Sequence, residues 1–290
     1  MTRTIGNPAS WGAQALGGAA GGAATLLARL GGRRGAPLPE VRRLEPADIG
    51  EALRRGLDDF AALRSDVIFI CLLYPVIGAC LAWIAFRHEF LPLLFPLLSG
   101  FALVGPLAGV GLYEMSRRRE AGGTAGWADA FAVMRSPAIA PIAALGVVLL
   151  GLFIAWIVAA DWIHALTLGP EPPASLTAFL TDVFTTGPGW AMIVLGCSVG
   201  LLFAAAALAI GLVSFPLLLD RDVGLPTAVV TSVRVVMASP RTTAAWGLVV
   251  AAGLVLGTVP LLLGLIVVLP VLGHASWHLY RRAVLPLTED

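Results

Sequence analysis

Lysine is absent from this 290-residue chain and charge is scarce: 19 basic residues, all arginine, and 18 acidic ones make up 13% of residues, against 58% hydrophobic. A soluble domain that apolar would expose patches that aggregate in water, whereas a bilayer accepts them. The formal net charge of +1 excludes a basic surface dense enough to displace counterions from nucleic acid. Cysteine is sparse as well. Cys71, Cys80 and Cys197 stand inside apolar runs, without the paired spacing of a zinc or redox motif, and read as small apolar filler. No nucleophile with an attendant base, Walker loop or HExxH pattern occurs, so the chain is not expected to be an enzyme. Arginine without lysine, together with 33 glycines, points to a GC-rich bacterial genome.

What is abundant is long apolar sequence, and it predicts an all-α, polytopic transmembrane helical bundle. Runs of about 20 apolar residues are needed to cross roughly 30 Å of hydrocarbon as a helix. Four stand out: Val67 to Phe86, Phe90 to Met115, Ala138 to Ala160 and Gly189 to Leu219. Between Arg241 and Arg281 lie 39 residues without an acidic or basic residue apart from two histidines. As one helix they would reach about 58 Å, nearly two bilayer cores. Gly257-Thr258-Val259-Pro260 supplies a turn and a restart, which gives spans over 242–257 and 260–280.

Ahead of the spans, residues 1–40 read as a disordered Gly/Ala/Arg-rich cytoplasmic tail without a signal-peptide core. Residues 41–66 read as an amphipathic interfacial helix. Glu45-Pro46-Ala47-Asp48 marks its start, and Ile49, Leu53, Leu57 and Phe60 recur at helical spacing, with Asp58 and Asp59 on other faces. Such a helix lies on the membrane surface or covers the bundle. The transmembrane domain covers 67–282, and 283–290 form a short cytoplasmic tail.

Charge chooses between five spans and six. Arginines in short loops stay on the cytoplasmic side, which places the N-terminal tail, Arg117-Arg118-Arg119, Arg135 and Arg221 inside. The segment from Asp161 to Gly187, with Asp161, Glu171 and Asp182 and no arginine, then falls outside. A hairpin at the end of the chain returns Arg281 and Arg282 to the cytoplasm, so six spans are expected, with five as the alternative; Arg87 breaks the rule. There is also an internal echo at an offset of 103. Val133-Met134-Arg135-Ser136-Pro137 aligns on Val236-Met237-Ala238-Ser239-Pro240, within nine identities over the 32 positions from Ser116 to Val147.

Several stretches together resemble a bacterial integral-membrane family known as domain of unknown function 2189. They are Val41-Arg42-Arg43-Leu44 with Ala52-Leu53 and Asp59-Phe60 of the helix that follows, Gly100 to Pro106, Gly111-Leu112-Tyr113-Glu114, Ser116-Arg117-Arg118, Ser214 to Asp222, and Pro270 to Arg281. The resemblance implies a multispanning inner-membrane protein over roughly Val41 to Arg282 and supplies no activity. Some relatives carry a cytochrome c oxidase label. A haem-copper subunit needs about six histidine ligands in the bilayer, and this chain has four histidines in all, of which His88 and His164 are expected in or beside outer loops.

Two groups of residues could carry chemistry. His274 and His278 are one turn apart and share a helix face, a spacing able to hold a metal or haem, although no third ligand is evident. Glu114, Arg117, Asp220, Arg221, Asp222 and Arg281 all fall at the expected cytoplasmic ends of spans two, four and six. Ionisable groups there form an ion or substrate site, or else structural pairs and headgroup anchors. No cofactor is expected beyond a haem or metal on the two histidines. The leading expectation is a non-catalytic inner-membrane protein acting through partner or small-solute binding within the lipid bilayer. The alternatives are a secondary transporter or channel, motivated by the echo and by kinked spans, and a haem- or metal-binding accessory protein of respiratory oxidase assembly.

Overall fold

The computed structural model describes residues 30–31, 38–71, 76, 79–80, 83, 88–260 and 262–286. Among them there is no strand longer than an isolated bridge, and the architecture is an all-α bundle. Helix α1 covers Pro46–Cys71. It starts where the sequence predicts: Pro46 stands at the first helical position, and Asp48 Oδ2 accepts the Glu45 N–H at 2.8 Å, satisfying one donor the helix cannot bond internally. The helix runs unbroken past position 66, so the expected interfacial helix and the start of the first span are one element. The rest of that span, to Phe86, lies largely outside the described residues.

A 3₁₀ turn, His88–Leu93, leads into α2, Leu94–Ala108, and α3, Val110–Glu120. The expected second span is broken. Phe90–Gly100 and Ala102–Ala108 meet at 42°, one turn before Pro106, whose ring displaces the carbonyl behind it. After α4, Trp127–Ala132, comes α5, Ile139–Thr167. At 29 residues α5 is longer than expected and takes in Asp161 to Thr167, including His164. Helix α6, Leu176–Thr185, leads through the single extended residue Thr186 into α7, Gly187–Gly211. The chain continues as α8, Ser214–Asp220, α9, Leu225–Ala238, α10, Pro240–Thr258, and α11, Leu265–Ala283.

Among the described residues, three helical stretches are long and apolar enough to cross a membrane: α5, Gly187–Asp220 and α10, with the bent Phe90–Ala108 pair as a fourth. Helix α11 is not among them, because its second half carries His274, Ser276, His278, Arg281 and Arg282. It begins five residues later than expected, after a turn in which Leu262 takes a φ of 69°. The turn is tight: a Cβ on Gly257 would stand 2.6 Å from a Leu265 methyl.

The internal echo has a structural counterpart. In each copy a helix ending in the charged layer (α3, α8) is followed by a connector that contains a further helix (α4, α9). Each then reaches Ser-Pro, at 136–137 and 239–240, and a long apolar helix (α5, α10).

Burial runs against hydropathy. The apolar window of Gly187–Asp220 is only 6% buried and that of α5 28%, leaving Val147, Leu150, Ile154, Leu195, Leu201 and Leu202 exposed. Lipid gives apolar helices no hydrophobic reason to associate. Of the fully buried large side chains, Met115, Phe215, Leu217, Trp277, Leu279 and Tyr280 sit where α3, α8 and α11 come together with α1, and Ile142, Leu145 and Leu149 lie on the first turns of α5. Most of the close-packed core therefore belongs to the charged end of the bundle. There the two ends of the chain also pair: Arg42 N–H donates to Ala283 O and Leu285 N–H to Glu40 O, around a bridge between Val41 and Val284.

Candidate functional site

Helices α1 and α11 share the most extensive interface of the fold, and small residues make it possible. Ala52, Gly56, Asp59 and Leu63 form the buried stripe of α1. A Cβ on Gly56 would stand 2.7 Å from the Ala275 nitrogen and 2.8 Å from the Val271 carbonyl oxygen, so only glycine lets the backbones approach this closely. This corrects the expected face in part: Ile49 is buried and Leu53 and Phe60 pack on the core, but Leu57 is 52% exposed, whereas Asp59, expected on another face, is 3% exposed. On the other side of α11, a Cβ on Gly273 would stand 2.4 Å from Leu112 of α3.

The approach of three helices brings Asp59, Ser116, Arg119, His274 and His278 together. Ser116 Oγ donates to Asp59 Oδ2 at 2.6 Å, and His278 Nε2 stands 2.8 Å from the same oxygen. Arg119 donates to Asp59 Oδ1. Ser116 Oγ also lies 2.8 Å from His274 Nδ1. A carboxylate only accepts and a serine hydroxyl has one proton to give, so the protons are fixed. Ser116 gives its proton to Asp59, His274 donates from Nδ1 to Ser116, and His278 donates from Nε2 to Asp59. The remaining nitrogens, His274 Nε2 and His278 Nδ1, are buried without a hydrogen-bond partner. Burial by itself would raise the Asp59 carboxyl, but the hydrogen bonds from His278, Ser116 and Arg119 outweigh it and hold it at about 2.

Around this centre the charged residues pair across elements. Glu114 accepts from Arg117 and Arg118, at 2.8 and 2.6 Å, and Arg118 also reaches Asp129. Glu120 accepts from the Trp277 indole at 3.0 Å and from Arg281 at 3.2 Å. Asp220 accepts from the Tyr280 hydroxyl at 2.6 Å and stands 3.7 Å from Arg281. Arg221 donates to Leu285 O at 2.6 Å, and its Nη1 is buried without a partner. Asp48 pairs with Arg42 at 2.6 Å and Arg282 at 3.6 Å. Burial pushes the Asp48 carboxyl up, but the Glu45 amide and the Arg42 guanidinium bring it below its ordinary value.

The expected cluster thus comes together in part. Glu114 and Arg117 on α3, Asp220 at the end of α8, Arg221 just past it and Arg281 on α11 occupy one layer, while Asp222 is exposed two residues beyond α8. His274 and His278 do share a face. Among the described residues, no group of three or more His, Cys, Asp or Glu is placed to hold a metal ion. His164 is a buried residue of α5, its ring 6.3 Å from that of Phe179. Asp59, Ser116, Arg119 and Glu120 were not expected as site residues, although Asp59 and Ser116 fall in stretches that carry the family resemblance. Ala52-xxx-Gly56 just before Asp59 was the available signal, since a small-residue pair marks a packing face and three more positions place an acid on it.

A second feature lies in the apolar part. Between α2, α5 and α7 a cavity of about 230 Å³ is lined by Phe95, Leu103, Trp156, Gly196, Cys197 and Phe203, among others. Trp156 is anchored there by an indole bond to Pro96 O at 3.0 Å. This carbonyl lies a turn back from Gly100, where a Cβ would collide with the Phe153 ring.

Residues 94–220 match a family described as predicted integral membrane protein (DUF2189). The match is narrower than the resemblance over 41–282: it takes in the Gly100 to Pro106, Gly111 to Glu114 and Ser116 to Arg118 stretches and most of Ser214 to Asp222. Val41 to Leu44 and Pro270 to Arg281 lie outside it. No curated protein and no solved structure matches the chain.

Proposed function

We propose that this integral membrane protein is a non-catalytic binding protein of the bacterial inner membrane, and that it takes part of a membrane-dissolved apolar molecule into the cavity between α2, α5 and α7. The carrying observation is the lining of that cavity: aromatic and small side chains of helices whose apolar windows are mostly unburied. At about 230 Å³ it is smaller than the roughly 300–1,000 Å³ of pockets that enclose a drug-sized ligand. It suits a length of acyl or isoprenoid chain. The charged layer supports the reading by its pairing, since each carboxylate of the Asp59, Glu114, Glu120 and Asp220 set has cationic or hydrogen-bonding neighbours. On this reading the arginine-rich layer, with the paired segments 40–42 and 283–285, faces the cytoplasm, the side on which arginine is enriched.

Native mass spectrometry of the protein in mild detergent tests the proposal. Gly196 has open space where a side chain would begin, so Gly196→Leu fills the cavity without a clash. A stoichiometric apolar adduct on the parent, reduced at least several-fold in Gly196→Leu, is the expected result. Equal adduct on both, or none on either, removes the proposal. The two other readings make different demands. A transporter would need solute flux in liposomes, and the repeated helix–connector–helix unit is its motivation. A haem or metal accessory protein would draw on His274 Nε2 and His278 Nδ1. With no third donor grouped with them among the described residues, the residues present do not fit a metal site.

A further inference from the structure

Helix α6, Leu176–Thr185, lies at the end of the bundle opposite the charged layer, between the far end of α5 and the start of α7. Its ten residues extend about 15 Å, half a bilayer core, so it cannot cross. It is nevertheless firmly built. Ser175 Oγ accepts the Ala178 N–H at 3.1 Å at its start, and the Trp190 indole donates to Phe184 O at 3.1 Å near its end. Val183 is buried and Phe179 packs on the His164 ring, which fixes the rotation of the helix about its axis.

That rotation divides the remaining surface. Leu176, Leu180 and Phe184, at i, i+4 and i+8, form one exposed apolar stripe, 39%, 44% and 57% accessible. Thr181, Asp182 and Thr185 are exposed on the other side. Trp162 and Leu166 on the last turns of α5 and Trp190 on the first turn of α7 are exposed as well. Helix α5, at 29 residues, is about 43 Å long, so roughly 13 Å of it exceeds the hydrocarbon core. Its last turns therefore stand at headgroup level. Tryptophan is the residue expected at that depth.

We infer that α6 is an interfacial helix seated on the bilayer at the headgroup–acyl boundary, with Leu176, Leu180 and Phe184 in the acyl chains and Thr181, Asp182 and Thr185 toward water. Its partner is the lipid surface that already surrounds α5 and α7. From Asp161 to Thr186 the chain carries Asp161, Glu171 and Asp182 and no lysine or arginine, so the attraction is apolar and needs no anionic lipid. A helix with one apolar and one polar face binds in this way by burying the apolar face at the boundary.

Spin labels read both faces. In a background with Cys71, Cys80 and Cys197 changed to serine, single cysteines replace residues 176, 180, 184, 181, 182 and 185 in turn. Each labelled protein is placed in nanodiscs of phosphatidylcholine alone. Size-exclusion profile and helical circular dichroism identify variants that keep the fold, and six surface positions give several independent readings. The expected result is a several-fold higher ratio of oxygen to nickel-chelate accessibility at 176, 180 and 184 than at 181, 182 and 185. Equal ratios on the two faces overturn the inference, as would a stripe inaccessible to both reagents, which would place a second protein surface on it.

Discussion

Replacing Asp59 by asparagine tests whether the charge, and not merely the packing, holds α1 to α3 and α11. The change keeps the volume of a side chain that is 3% exposed. It also turns one acceptor oxygen into a donor. The carboxylate now accepts from Ser116 and His278 on one oxygen and from Arg119 on the other. The carboxamide can serve one side only and faces a donor on the other. A hydrogen bond to a charged group contributes about 1.5–3 kcal/mol, and Arg119, 40% exposed, can turn to water, so a loss near the lower end is expected. The proton equilibrium gives a similar figure. A folded value of about 2 against an ordinary 3.8 corresponds to roughly 2 kcal/mol of stabilisation. Because the folded value is the lower one, that stabilisation is complete above about pH 4 and is lost as the pH falls toward 2. In a tryptophan-fluorescence melt in detergent at neutral pH, Asp59→Asn should melt roughly 4–10 °C below the parent. The gap should narrow steadily as the pH is lowered from about 4 toward 2, where the parent also loses the charge. A variant within about 1 °C of the parent at neutral pH, or a gap that persists in acid, would refute the reasoning.

Further outcomes follow from other contacts. Gly56→Leu must separate α1 from α11, since its first side-chain atom already meets backbone at 2.7 Å; a loss of at least about 1–3 kcal/mol should appear as early proteolysis within α1. In Ser239→Ala the buried Leu44 N–H loses the acceptor it holds at 2.7 Å, which costs about 1–3 kcal/mol. Hydrogen exchange should show residues 40–45 losing protection while α5 keeps its own. Tyr280→Phe removes the 2.6 Å donor to Asp220, and a stability loss of roughly 1–2 kcal/mol is expected in the melt, with Arg221 at 3.5 Å and Arg281 at 3.7 Å left beside that carboxylate.

The sequence made the apolar elements legible because their signal is local. Runs of about 20 apolar residues located α5, α7 and α10 within a few positions, and Glu45-Pro46-Ala47-Asp48 located the start of α1. The packing of α1 was misread because apolar spacing was taken as the guide to its face. In this interface the face is chosen by what lets two backbones meet, so Gly56 and Ala52 face inward and Leu57 does not. Asp59 was hidden for the same reason: a buried acid is stable only with partners, and Ser116 and His278 are 57 and 219 positions away. The one-turn spacing of His274 and His278 was visible, but their division of labour was not. It depends on which nitrogen meets Ser116 and which meets Asp59.

The pairing of the chain's two ends also fixes a matter of arithmetic. Residues 40–42 and 283–285 hydrogen-bond to each other, so the chain leaves one face of the membrane and comes back to the same face. A path that returns to its starting face has crossed an even number of times. An odd count, five among them, would set these two segments on opposite faces, where they could not pair.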